Sequence, residues 1–159
     1  MDSRSYRDYV ETQLLDRGYE TVAAEQANPF DPIWCKQDDD PTIGRTKVFV
    51  TVIDDEDTDR DTLETTADAF RTILSAATAP AQGGVENLFG YLVFAVDEPT
   101  DALVEFATEG YTVADRRTNV FPLIYDLDDE TLYTHTVPRL KGRGFYEKQK
   151  LDAEELLTP

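Results

Sequence analysis

Residues Leu88 to Val96 read Leu-Phe-Gly-Tyr-Leu-Val-Phe-Ala-Val, nine positions without a charge. A run this short and this continuously apolar is the signature of a strand buried on both faces, since a half-buried strand alternates. It obliges the rest of the chain to supply two covering layers. Two segments have the 3.6-residue spacing to do so. Tyr6, Tyr9, Val10 and Leu14 recur behind a candidate cap, Ser3, with Gly18 as a stop. Leu63, Ala67, Phe70, Ile73, Leu74 and Ala77 form a second stripe behind Thr58 or Asp59. The acidic run Asp54-Asp55-Glu56-Asp57 precedes that helix, where negative charge suits the helix dipole.

Around these pieces, Tyr19 to Glu25, Ile33 to Gln37 and Lys47 to Ile53 read as three strands of an antiparallel meander, with a turn at Asp38-Asp39-Asp40-Pro41. Ala79 to Gly84 is a linker of small residues. Thr100 caps a short helix carrying Leu103, Phe106 and Ala107, which Gly110 ends. Tyr111 to Ala114 is a short strand, and Val120 to Asp126 with Leu132 to Val137 forms a hairpin about Leu127-Asp128-Asp129-Glu130. Pro122 lacks an N–H and places the first hairpin strand at a sheet edge. The pattern predicts an α/β (α+β) single domain, a mixed β-sheet flanked by helices, over residues 1–138, with 139–159 a basic segment and C-terminal tail.

Charge sets the second constraint. Twenty Asp and thirteen Glu face ten Arg and five Lys, giving −18 and a pI near 4.2. Such a surface repels itself in dilute buffer, where the Debye length is about 10 Å. At 1 M salt that length is about 3 Å and the repulsion largely vanishes. The preference for short Asp over long Lys fits the same reading, because Lys exposes an apolar stem. The chain resembles the acidic proteins of extreme halophiles, haloarchaeal ones above all, and the resemblance implies salt adaptation. Acidic clusters then carry little chemical meaning by themselves.

Several function classes lose their footing. Cys35 is the only cysteine, so no intrachain disulfide forms and a reducing compartment is expected. The first residues lack a signal-like apolar stretch and no run reaches the ~20 apolar residues of a membrane span, so a cytoplasmic protein without a membrane partner is expected. With one Cys and one His, His135, the usual zinc sets cannot be assembled. No phosphate-binding loop, dinucleotide fingerprint or nucleophile elbow occurs. His135 falls on a hairpin strand and reads as a half-exposed residue. The chain leans away from enzymes, and no cofactor is implied.

One segment runs against the composition. Arg139, Lys141, Arg143, Lys148 and Lys150 lie within twelve residues that hold a single acid, a local charge of +4, whereas the preceding 138 residues carry ten basic and twenty-nine acidic groups. Two roles follow. The segment is an anion site for nucleic acid or another phosphate ligand, with Gly142 and Gly144 permitting close approach and Phe145 and Tyr146 offering stacking faces. Alternatively, it is an intramolecular clamp across the acidic body.

The order helix, three-strand meander, helix, strand, helix resembles the restriction-endonuclease-like nucleases over about residues 3–108. In that family an Asp on the second strand and an acid-x-Lys on the third hold magnesium and activate water. Phe30-Asp31-Pro32-Ile33 is similar to the stretch bearing the first Asp. The third strand reads Val50-Thr51-Val52-Ile53, without acid or lysine, and Asp54 follows it. The resemblance implies either a degenerate site or a magnesium-dependent hydrolase using Asp31 with Asp54 or Glu25. A structural or oligomer-forming role is the third expectation.

Overall fold

A computed structural model of the chain describes residues 1–55, 57–76 and 87–159. Its core is a seven-stranded mixed sheet in the order β1-β2-β3-β4-β6-β5, with β7 also on β6. The strands are β1 (Glu20–Thr21), β2 (Trp34–Asp40), β3 (Gly44–Asp54), β4 (Asn87–Val96), β5 (Ala114–Asp115), β6 (Thr118–Asp126) and β7 (Thr131–Tyr133). β1, β2 and β3 form the antiparallel meander; β3, β4 and β6 run parallel. The helices are α1 (Ser3–Asp16), α2 (Ala24–Ala27), α3 (Arg60–Ala76), α4 (Asp101–Glu105) and α5 (Arg143–Asp152). α4 and α5 each continue into a π-helical turn, Phe106–Gly110 and Ala153–Leu157.

The apolar run does what its composition demands. Phe89, Tyr91, Val93 and Ala95 enter one core with Tyr6, Val10 and Leu14 of α1 and Ala153, Leu156 and Leu157 of the closing turn. Leu88, Leu92, Phe94 and Val96 enter the other, with Leu63, Ala67, Phe70 and Leu74 of α3. Gly90 lies beneath α3, where an added Cβ would stand 2.7 Å from a Leu74 methyl and 2.8 Å from the Phe70 ring, so the helix approaches this closely only because no side chain is there. The result is three layers, helices on both faces of one sheet.

Local signals place most ends, with corrections. Asp2, not Ser3, caps α1, its carboxylate accepting from the Ser5 N–H at 2.7 Å. Asp59 accepts from Thr62 N–H and opens α3, while Thr58 is spent on the Asp55 carbonyl. Thr100 caps α4 by accepting from Leu103 N–H. The strand expected through Glu25 stops at Thr21, and Ala24–Ala27 coils into α2, composed of good helix formers. β7 is shorter than expected, ending at Tyr133. The 79–84 linker, Ala77 and Glu56 lie outside the described residues.

Pro122 shows how the sheet ends. β6 is buried along its whole length, so it is not a bare edge. On its outer side β5 pairs only with Thr118 and Asn119, and β7 only with Ile124 to Asp126. Pro122 sits in the interval between them, where a missing N–H leaves no ladder bond unmade. Its carbonyl is met by the His135 ring at 2.9 Å.

Candidate functional site

The basic segment divides in two. The stretch 139–159 folds onto the sheet as α5 and the closing turn, and its end is tied down by Tyr6, whose hydroxyl donates to the Leu157 carbonyl at 2.9 Å. Lys148 points inward. Its ammonium, 7% exposed, lies 3.2 Å from Asp152 Oδ2 and 3.6 Å from Asp38 Oδ2 and faces the Phe89 ring. Tyr91, fully buried on β4, donates to the same Asp152 oxygen at 2.6 Å. Burial raises the Asp152 carboxyl above the usual carboxylate range, although Lys148 and Tyr91 pull the other way. This is the intramolecular clamp, realised by one residue of the five.

The other four face solvent. Arg143 is exposed and paired with Glu147 one helical turn on, at 2.7 Å. Arg139, Lys141 and Lys150 are exposed and join no ion pair among the described residues. Gly142, in the left-handed region at φ 77°, turns the chain from this loop into α5 and caps the helix without a side chain. Lys141 lines a cavity of about 320 Å³ with Glu109, Tyr111, His135, Thr136 and Tyr146 among its walls. The π-helical turn after α4 supplies Glu109; such turns are frequent at functional sites.

His135 corrects the reading of a half-exposed strand residue: it lies beyond β7 and is 3% exposed. The cause is α5. Gln149, wholly buried, treats the backbone of His135 as a strand neighbour would, donating from Nε2 to its carbonyl at 2.9 Å and accepting its N–H at 3.4 Å. The rings of Phe121 and Tyr146 meet the imidazole edge-on. Because Pro122 O can only accept, Nε2 carries the proton, and Nδ1 is left as a lone-pair acceptor. Burial lowers the imidazole pKa from 6.5 to about 4, so the ring is neutral at pH 7. Nothing in the local sequence signals this burial; it is imposed by a residue fourteen positions downstream.

Asp31 and Asp54 are both exposed, the first in the loop before β2 and the second at the end of β3. The Asp31 carbonyl accepts from the Arg7 guanidinium, which ties that loop to α1. Glu25, in α2, is exposed as well. Among the described residues no group of three or more His, Cys, Asp or Glu is gathered in a way that could hold a metal ion. No helix among them is long and apolar enough to cross a membrane. No protein-family model, curated protein or solved structure matches the chain.

Proposed function

We propose that the protein is a salt-adapted, non-catalytic binding module that takes a phosphate-bearing ligand, nucleic acid foremost, at the loop from Arg139 to Arg143. One observation carries this reading: in a chain of −18, Arg139 and Lys141 stand exposed without a carboxylate partner among the described residues, beside a cavity, while Lys148 has been turned inward. The clamp explains the retention of one lysine. It does not explain the others.

In molar salt the reach of a point charge is only about 3 Å, so long-range attraction is weak and contact geometry has to hold the ligand. The loop has suitable parts. Arg139 offers a bidentate fork unpaired among the described residues, and Arg143 a second that it shares with Glu147. Gly142 leaves the turn before α5 without a side chain, whereas Gly144 packs against Ile43. Binding of a fluorescent single-stranded oligonucleotide in high potassium chloride tests the reading. The triple variant Arg139→Ala, Lys141→Ala, Arg143→Ala should lose most of the affinity while unfolding at an unchanged midpoint. Absence of binding by the parent protein, or equal binding by the variant, rejects it. Salt adaptation has a separate check: the unfolding midpoint should fall as potassium chloride is removed.

A further inference from the structure

The cavity beside the basic loop is chemically two-sided. Lys141 brings a cation to it; Glu109 and the ring of His135 bring acceptors. A bare anion gains from the first and is repelled or ignored by the other two. A neutral polar molecule leaves the lysine unused. The lining suits a ligand with a phosphate at one end and hydrogen-bond donors at the other, and the half-buried Tyr146 adds an aromatic side chain to it. Its volume, about 320 Å³, lies at the lower end of small-molecule sites, which admits one unit of that kind and excludes a duplex.

His135 sharpens the point. Its Nε2–H is committed to Pro122 O, which leaves Nδ1 as the one ring nitrogen with an acceptor lone pair to offer. Nδ1 is not among the enclosed side-chain atoms left without a partner, so it stays open to a donor, and the cavity that His135 lines is where one would come from. Since the imidazole resists protonation at neutral pH, Nδ1 remains an acceptor there and does not become a second cation.

We infer that this cavity is the seat of a single nucleoside phosphate, the phosphate held by Lys141 and an amino or hydroxyl group of the nucleoside donating to His135 Nδ1 and Glu109. The inference rests on the anion-binding reading above and narrows it to an unpaired nucleotide, either free or at the end of a strand. Hydroxyl- or amino-bearing aromatic bases also present a π-face to Tyr146, which every nucleotide can use.

The protein has one histidine, so its imidazole nitrogens are assignable without ambiguity by ¹⁵N NMR on the unaltered chain. Adenosine 5′-monophosphate in high potassium chloride should move the unprotonated Nδ1 resonance upfield, as acceptance of a hydrogen bond does. A 5′-phosphorylated oligonucleotide should produce the same shift if the strand end is the source, and an unphosphorylated one should produce less. Lys141→Ala should weaken the monophosphate about tenfold, the loss of one charge-assisted contact. If the oligonucleotide binds through the arginines but neither ligand moves Nδ1, the nucleotide seat is wrong and the anion module stands. A monophosphate that moves Nδ1 while no oligonucleotide binds establishes the seat and overturns the strand-binding reading. If no phosphate compound binds, both fall.

Discussion

On the α3 side of the sheet, the residues the helix buries are Leu63, Ala67, Phe70 and Leu74, all apolar. On the opposite side α5 turns Lys148 and Gln149 inward, and the cover is fastened by Tyr91, Asp152, Asp38 and the His135 backbone. The first face is stabilised by transfer of apolar surface from water, which needs no particular partner. The second has an apolar core of its own beneath α1 and the closing turn, and adds beneath α5 directional bonds whose members must all be present, because a buried polar group that loses its partner is worse than none. Under α3 the strength is distributed; under α5 part of it is concentrated in a few atoms.

The sharpest way to break this contrast is Phe70→Ala. Phe70 is fully buried and meets Phe30 edge-on, and its truncation should cost about 3–5 kcal/mol by the midpoint of denaturant unfolding in high salt. An unchanged midpoint would mean that the α3 stripe is misassigned.

The polar face should show itself through acid. The pKa of His135 is depressed in the folded state, so its contribution to stability is complete above the unfolded value of 6.5 and is lost as pH falls toward about 4. That interval corresponds to about 3 kcal/mol. Asp152 acts with the opposite sign: raised above 3.8, it favours the fold at low pH and loses that contribution as pH rises through its folded value. Between pH 6.5 and 5, where few carboxylates titrate, the parent should lose stability faster than His135→Gln. Parallel curves for the two proteins would show that the imidazole is not held neutral by burial.

Lys148→Met comes next. It leaves Asp152 and Asp38 without their shared cation and should cost about 2 kcal/mol, of which Lys148→Met with Asp152→Asn should recover part, because Tyr91 keeps an acceptor. Equal stability of the single and double variants would remove the coupling. The smallest expected effect is that of Tyr6→Phe, about 1 kcal/mol for the lost bond to the Leu157 carbonyl, since the Tyr6 ring keeps its stack on Tyr125 at 3.8 Å.

The same contrast explains what could be read from the residues alone. The α3 stripe, the two-faced strand β4, the Thr100 cap and the β6–β7 hairpin follow from periodicity and local chemistry, which are written in neighbouring positions. Ala24 and Glu25, the first half of α2, are expected as the end of a strand because a short stretch of Thr, Val and Ala fits both states, and the alanines with Gln26 favour a turn of helix. In α5 the amphipathic pattern is weak, since two of its inward residues are a lysine and a glutamine; only the sheet beneath gives them partners. Charge alone brought Lys141 to notice. The cavity it borders is made by Glu109, His135 and Tyr146, which come together through tertiary packing and share no motif.

The bond from Tyr6 to Leu157 spans 151 positions, and Tyr9 reaches Thr158 in the same way. During synthesis α1 therefore leaves the ribosome well before the segment that completes its cover. The α3 layer can assemble on β3 and β4 well before that. A nascent chain stalled before residue 150 would hold one finished face and one covered by α1 alone, an apolar surface that invites association until the turn at Ala153–Leu157 arrives.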